Sequence, residues 1–214
     1  MFDRIAPGYD RMNRIMTGRM DQRWRKRLID RLAVTGHDVV LDLACGTGDF
    51  SGIARHRTHN VVGVDFARVM LTRAHQRYDT MPLVQGDALR LPFADGSVTV
   101  VVSGFALRNF SAIPPVLAEV ARVLKPGGRL GLLEVDRPSN PVVRRGHAFY
   151  FERVVPMVGG LLSDRQAYRY LPESAAYLPT QAELVTMLKV AGFSRIRKES
   201  PMFGAIQAIT AVRE

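Results

Sequence analysis

Apolar residues along the chain occur in two patterns, continuous short runs and repeats with the period of a helix. Segments with these two patterns alternate. Residues 21–34 place Trp24, Leu28 and Leu32 on one face of a predicted helix, which Gly36 ends. Runs rich in Val, Leu and Ile predict buried strands, with helical periods between them. The predicted strands are 39–44, 60–65, 81–85, 97–103 and 129–135, and the helices between them are 67–78 and 111–124. This alternation predicts an α/β fold with a doubly wound, mostly parallel sheet.

After residue 135 the alternation stops. Prolines and glycines interrupt an aromatic and basic stretch over 136–179. Thr180 and Glu183 have the spacing of a capping box, which predicts a helix that ends at Gly192. Apolar runs over 193–199 and 203–212 predict a C-terminal antiparallel hairpin. A tight turn rich in Gly and Pro is predicted at 125–128, before the last parallel strand.

Two glycines follow the first predicted strand, in a turn that leads into a helix. Gly46 and Gly48 let the backbone approach a ligand, and Asp65 ends the next strand, where a carboxylate can accept both hydroxyls of a ribose. Ser51 stands where a dinucleotide fingerprint needs its third glycine, and the chain has no Gly-Lys pair for a P-loop. A nucleoside ligand without phosphates therefore remains.

Acidic side chains around this turn narrow the ligand class further. The carboxylates of Asp42 and Asp49 would repel a pyrophosphate but suit a cationic amino-acid group. S-adenosylmethionine (SAM) combines a ribose and an adenine with an ammonium and a sulfonium. Gly86, Asp87 and Ala88 follow the third predicted strand, at the same edge of the sheet. Together these residues favour SAM as the ligand.

Composition limits the class of protein. The 214 residues are 47% hydrophobic and 23% charged, which is typical of a globular domain rather than a disordered chain. The sequence has no apolar run of the ~18 residues that a membrane span needs, and its N-terminus has no apolar signal region. The single cysteine, Cys45, excludes an intramolecular disulfide framework and a cysteine-clustered metal site. We expect a cytoplasmic protein without a metal.

Positive charge is concentrated in two segments. The net charge is +10; residues 1–31 hold nine basic and four acidic side chains, and residues 137–169 hold six and two. Such local charge favours an anionic partner, either phospholipid headgroups or nucleic acid. Apolar clusters in the same two regions favour a membrane surface, so we expect peripheral association with the inner face of the membrane. A solvated basic face without a partner is the alternative.

Several motifs resemble one family of methyltransferases over nearly the whole chain. They are FDxIAxxYD from residue 2, YDxMN at 9–13, LDLACGTGD at 41–49, LPFxD at 91–95, LRN at 107–109, VLKPGG at 123–128 and YRYLPES at 168–174. The glycine turn is generic to class I SAM-dependent methyltransferases. YDxMN, LRN and YRYLPES resemble the ubiquinone/menaquinone biosynthesis C-methyltransferases of the UbiE/MenG type.

The resemblance implies a Rossmann-like class I methyltransferase fold in one domain over 1–214. Its parts are an N-terminal helical cover (1–35), a SAM-binding core (36–135), a lid with a substrate insertion (136–179), and a C-terminal helix and hairpin (180–214).

The resemblance also implies which residues bind the cofactor. Asp87 would contact the adenine amino group, and the backbone N–H of Ala88 the adenine ring. The family often has Ser where this chain has Gly104, and Ser103 lies one residue earlier. The full predicted set is Asp42, Ala44, Gly46, Thr47, Gly48, Asp65, Phe66, Met70, Asp87, Ala88, Ser103 and Gly104.

The methyl acceptor is expected beside Arg108 and Asn109, which follow the fourth predicted strand. Arg108 stays protonated, so it would stabilise a developing phenolate or polarise the water that takes the proton. Tyr9 would hydrogen-bond the same oxygen and completes the predicted catalytic set. The alternative is a structural role, in which Arg108 caps the next segment or pairs with Asp10.

The function implied by the resemblance is SAM-dependent C-methylation of a polyprenylated quinol, with demethylmenaquinol the leading candidate. A second hypothesis is another small aromatic or lipophilic acceptor, because residues 204–211 read GAIQAITA where the family usually has Gly-x-x-Ala-Leu-His-x-Gly. RNA modification or nucleic-acid binding is disfavoured, because SGFA at 103–106 replaces the Asn/Asp-Pro-Pro-Tyr/Phe of amino-methylating enzymes. The expected partners are the lipophilic quinol and an anionic membrane surface, and a homodimer is left open.

Overall fold

The computed structural model of the chain describes residues 20–136, Arg145 and residues 177–214. Tyr9, most of the two basic segments and the YRYLPES motif lie outside the described residues. The helices are α1 (Met20–Arg31), α2 (Asp49–Ala54), α3 (Arg68–Arg77), α4 (Ile113–Val123) and α5 (Gln181–Val190). The strands are β1 (Val40–Leu43), β2 (Val61–Asp65), β3 (Leu83–Gln85), β4 (Val98–Gly104), β5 (Leu124–Val135), β6 (Phe193–Glu199) and β7 (Ile206–Arg213).

These strands form one sheet in the order β3-β2-β1-β4-β5-β7-β6. The first five run parallel, whereas β7 is antiparallel to both β5 and β6. The predicted fold, a doubly wound and mostly parallel sheet with a C-terminal antiparallel hairpin, is confirmed. The strand order reverses between β1 and β4, which is where open α/β sheets bind ligands.

Helices cover both faces of the sheet. On one face α4 and α5 pack Leu117, Val120 and Leu188 into a core that includes Leu130 and Ile209. On the other face, residues of α1, α2 and α3 pack against β1, β4 and β5. The predicted division into cover, core, lid and C-terminal parts stays a prediction, since only part of the cover and little of the lid are described.

Contact between α1 and β5 depends on a glycine. Leu28 and Ile29 of α1 and Leu32, which directly follows the helix, are buried, as the helical period predicts. A Cβ on Gly131 of β5 would lie 2.6 Å from Leu32 Cδ1, too close for a normal contact. Gly131 therefore lets α1 approach the sheet closely.

The predicted turn at 125–128 lies inside β5 instead of preceding it. Val98 pairs with Leu124, but Val100 pairs with Arg129, so β5 bulges between these two pairs. Gly127 adopts a φ of +76° within the bulge. The local turn signal is correct, but pairing with β4 on both sides of the turn extends the strand past it.

The second strand of the hairpin begins later than predicted. Residues Pro201–Gly204 form a short helical turn, in which Met202 and Phe203 both have a φ of +55°. Phe203, predicted as the first residue of the strand, is 86% exposed, and β7 begins at Ile206. The proline starts this turn because its ring fixes φ and removes a backbone donor.

Candidate functional site

The glycine turn between β1 and α2 is a left-handed loop held by an acid from the next strand. Ala44, Gly46 and Gly48 have φ values of 54°, 56° and 84°. The N–H of Gly46 donates to Asp65 Oδ2 over 2.8 Å, and the N–H of Ala67 donates to Asp65 Oδ1 over 2.8 Å. Asp65 therefore ties the turn to the start of α3.

The Asp65 side chain is partly buried and accepts hydrogen bonds from backbone N–H groups. Burial raises the pKa of its carboxyl above the usual range, and the N–H groups of Ala67 and Gly46 oppose that rise. A carboxylate has about four lone-pair directions, so two backbone bonds leave capacity for ribose hydroxyls.

Asp42 lies beneath the turn and supports α2. Its Oδ2 accepts the backbone N–H of Ser51 at 2.8 Å and the Ser51 hydroxyl at 2.6 Å. Gly48 at the helix start has no side chain to cap it, so Asp42 takes that role from β1. Burial raises the pKa of Asp42 to about 7, although the Ser51 hydrogen bonds act in the opposite direction.

Asp49 is also committed to partners in the chain. Its Oδ1 lies 2.7 Å from Arg77 Nη1, and its Oδ2 lies 4.0 Å from Arg25 Nη2. Although burial disfavours its charge, Arg25 and Arg77 lower the pKa of Asp49. Asp42 and Asp49 were expected to attract a cationic group of the ligand. In the structure, Asp42 binds Ser51, and Asp49 pairs with Arg77 and lies near Arg25.

A cavity of about 340 Å³ opens where the predicted cofactor residues meet. Most of its wall is apolar, and the side-chain carboxylates on it are those of Asp65 and Asp87. It is lined by nine of the predicted site residues, Ala44, Gly46, Asp65, Phe66, Met70, Asp87, Ala88, Gly104 and Asn109, with further contributions from Leu43, Val64, Ala67, Gly86, Leu89, Phe105, Ala106, Phe110, Ser111 and Val116. An acid at the end of β2 and a second acid after β3 fit the ribose and the adenine of SAM.

Four predicted cofactor residues do not line this cavity. Thr47 and Gly48 are buried within the turn, and Asp42 lies beneath it. The Ser103 hydroxyl donates to the Leu43 carbonyl over 2.8 Å, so it bridges β4 and β1. At Gly104 a Cβ would lie 2.7 Å from Phe50 Cε2, which leaves little room there for a serine.

Arg108 and Asn109 form a 3₁₀ turn with Leu107 directly after β4. Asn109 lines the cavity, and its Nδ2 lies 3.4 Å from the Phe105 carbonyl oxygen. The Arg108 side chain is 8% exposed, and its Nη1 lies 2.6 Å from Glu134 Oε1. The partner of Arg108 among the described residues is therefore Glu134 of β5.

Glu134 and Gln207 were not among the predicted site residues. Both are buried, and they are register partners on β5 and β7. One signal was available for Glu134: an acid that directly follows an apolar run in a predicted strand must find a partner once it is buried. Gln207 carried no comparable signal, because its position next to Glu134 depends on the strand order.

Phe105, between β4 and Arg108, is strained and lies between two arginines. Its φ is +58°, which is rare for a bulky side chain. The guanidinium carbons of Arg25 and Arg108 lie 5.2 and 6.0 Å from its ring centroid. Such outliers are found where the surrounding structure holds a functional geometry, and Phe105 lines the cavity.

Comparisons with known sequences point to one family. The profile of the ubiE/COQ5 methyltransferase family matches residues 1–213. A Demethylmenaquinone methyltransferase of Thermus thermophilus is 42% identical over 95% of this chain and 96% of its own length. A Ubiquinone/menaquinone biosynthesis C-methyltransferase UbiE of Syntrophotalea carbinolica is 37% identical over 100% of this chain and 92% of its own length.

Solved structures share the fold at lower identity. A SAM-dependent methyltransferase of Thermotoga maritima, described as a possible histamine N-methyltransferase, superposes with a TM-score of 0.69 at 18% identity. That match covers 100% of this chain and 98% of the other. The YcgJ protein of Bacillus subtilis has a TM-score of 0.66 at 17% identity, over 90% of this chain and 98% of the other. At these sequence identities the comparison shows that the folds are alike and nothing about shared activity.

Proposed function

Because the chain belongs to the ubiE/COQ5 methyltransferase family, we propose that it methylates a ring carbon of a polyprenylated quinol, with demethylmenaquinol as the leading substrate. The enzyme class, a methyltransferase that uses SAM, is confirmed by the family match and by the named relatives. The observation that carries the choice of a ring hydroxyl is Arg108, a buried cation held by Glu134 directly after β4. Arg108 does not line the cavity itself, but Ala106 and Asn109 on either side of it do.

Residues of the chain divide the work between cofactor and acceptor. Bound SAM supplies an electrophilic methyl group on its sulfonium. Asp65 binds the ribose hydroxyls, while Asp87 and Ala88 hold the adenine. Arg108 faces the acceptor hydroxyl and stabilises the phenolate that is left when a water takes the hydroxyl proton, before the ring carbon attacks the methyl group. A fixed cation in a dry site is already oriented for this role. Arg108 is no general base, since a guanidinium keeps its proton.

Methyl transfer from radiolabelled SAM to reduced demethylmenaquinone in detergent micelles tests this proposal. We expect the wild-type protein to turn over, Asp65→Ala to lose SAM binding, and Arg108→Ala to keep SAM binding while turnover falls at least about 100-fold. Arg108→Lys keeps the positive charge but lacks the planar guanidinium group, so its turnover should lie between those of Arg108→Ala and the wild type.

Arg57→Ala is the matched control, because Arg57 pairs with Asp30 near the amino end of β2, far from the cavity. Its turnover should equal that of the wild type. SAM binding without methyl transfer to this quinol would contradict the proposed substrate and favour another aromatic or lipophilic acceptor.

We also propose that the basic segments 1–31 and 137–169 dock on an anionic membrane surface. In the described part, Arg23 and Arg27 are exposed on α1. Met202 and Phe203 are 44% and 86% exposed, next to the end of β7 that pairs with the carboxyl end of β5. Exposed apolar residues, on a chain that also exposes cations, suit the interface of a bilayer from which a prenyl tail would enter. Among the described helices, none is long and apolar enough to span a membrane.

Sedimentation with lipid vesicles tests the docking proposal. We expect binding to vesicles that contain phosphatidylglycerol but not to vesicles of phosphatidylcholine alone, and weaker binding as ionic strength rises. Phe203→Ser should lower the bound fraction. Val190→Ser should not lower it. Val190 is also exposed and apolar, but it lies just before the amino end of β6, which pairs with the end of β7 farther from Phe203. Equal binding to both kinds of vesicle would contradict the role of charge.

A further inference from the structure

Three buried polar atoms without hydrogen-bond partners cluster beside Arg108. Among the described residues, four buried side-chain atoms lack such a partner, and three of them are Arg108 Nε, Glu134 Oε2 and Gln207 Oε1. Arg108 contacts Glu134 directly, and Glu134 is the register partner of Gln207. Buried polar atoms are nearly always paired, so a cluster of three calls for an explanation.

The geometry of Glu134 leaves one oxygen free. Its Oε1 accepts from Arg108 Nη1 at 2.6 Å and from the N–H of Val135 at 2.9 Å. Its Oε2 has no donor, and the residue is 1% exposed. Arg108 therefore fixes the orientation of the carboxylate without satisfying it.

The amide of Gln207 is fixed in the same way. Its Nε2 donates to the Val135 carbonyl over 3.1 Å. The reverse orientation would set two oxygen acceptors against each other, so the amide oxygen must point away from Val135. Side chains at directly opposed positions of antiparallel strands share one face of the sheet, with Cβ atoms about 4.5–5.5 Å apart. The two unpaired acceptors therefore belong to neighbouring side chains, and Arg108, which carries the unpaired donor Nε, contacts one of them.

A hydroxyl group both accepts and donates, so it can accept from Arg108 Nε and donate to one of the two acceptors. We propose that Glu134 and Gln207, with Arg108, form a subsite for a ring hydroxyl of the methyl acceptor, and that this subsite selects the reduced ring over the oxidised one. The identity of that ring rests on the proposed function. A quinol hydroxyl donates to Glu134 Oε2 or Gln207 Oε1 and accepts from Arg108. A quinone carbonyl has only lone pairs, so it would face two acceptors and leave both unpaired.

Anaerobic equilibrium dialysis with a short-chain demethylmenaquinone tests the selection, with the ring either reduced by dithionite or oxidised. We expect the wild-type protein to bind the reduced ring at least about tenfold more tightly. Gln207→Met keeps the side-chain length but removes one of the two acceptors, so it should lower the affinity ratio while Glu134 Oε2 can still accept from the hydroxyl. Glu134→Gln can keep an oxygen toward Arg108 and turn an NH₂ donor toward the ligand, so it should shift the preference toward the oxidised ring.

Thr210→Val is the matched control, because Thr210 lies on the opposite face of β7 from Gln207 and should leave the ratio unchanged. SAM binding by each variant verifies its fold. Wild-type ratios in both Gln207→Met and Glu134→Gln would overturn the subsite. A preference for the reduced ring without methyl transfer would support the subsite and overturn only the proposed function, whereas binding of neither ring would overturn both.

Discussion

At the scale of single residues, the carboxylates around the glycine turn already serve the protein itself. Asp65 accepts two backbone N–H groups, Asp42 accepts two donors of Ser51, and Asp49 pairs with Arg77. These contacts shape the turn independently of a ligand. A substitution of Asp65 changes both the wall of the cavity and the loop that presents it, so the closest isosteres are the informative variants.

Asp65→Asn should weaken SAM binding at least about tenfold, or about 1.4 kcal/mol. The amide has one acceptor oxygen where the carboxylate has two, so it cannot serve Gly46, Ala67 and the ribose equally. Isothermal titration calorimetry measures the dissociation constant. Asp79→Asn makes the same chemical change at an exposed site and should bind SAM like the wild type. An unchanged constant in Asp65→Asn would contradict the ribose role.

Asp42 should make stability fall with rising pH. Its pKa is about 7 in the folded protein against 3.8 for an ordinary aspartate, so the folded state holds a proton that the unfolded state releases between these values. The free energy of unfolding then decreases through this window by up to about 1.36 kcal/mol per pH unit. Urea unfolding of Asp42→Asn should lack this component, whereas parallel pH profiles for the two proteins would contradict the assignment.

At the scale of elements, the contact between α1 and β5 joins the N-terminal region to the site. α1 carries Arg25, which lies over Phe50 and Phe105. Leu28 of α1 and Leu32 just after it pack against Gly131. The same helix thus packs the sheet and places a cation near the glycine turn. Its position depends on how closely it approaches the strand.

Gly131→Ala should lower the free energy of unfolding by about 1–3 kcal/mol, because the added methyl group overlaps Leu32. Urea denaturation gives the value. Gly36→Ala is the control, since the nearest atom to an added Cβ there is 4.0 Å away, and it should change stability by less than about 0.5 kcal/mol. Equal stability of Gly131→Ala and the wild type would mean that α1 shifts without cost.

At the scale of the whole molecule, local patterns predict much of the fold. Apolar runs and helical periods locate most elements to within about two residues, and Gly46 with Asp65 identifies the edge of the sheet that holds the cavity. Contacts between distant residues are harder to predict. The bulge at 125–128 depends on pairing with β4, and the contacts of Glu134 with Arg108 and Gln207 depend on which strands are neighbours. Local sequence patterns do not show which strands are neighbours in the sheet.

The position of β7 between β5 and β6 has a consequence for the order in which the protein is made. β6 leaves the ribosome before the strand with which it pairs, and until β7 follows, β5 keeps an open edge of unpaired backbone groups. The glycine turn, Asp65 and the parallel strands can assemble in that interval. Glu134 meets Gln207 only once the last strand has been inserted. The nascent chain should therefore complete its nucleoside cavity before it completes the polar cluster beside Arg108.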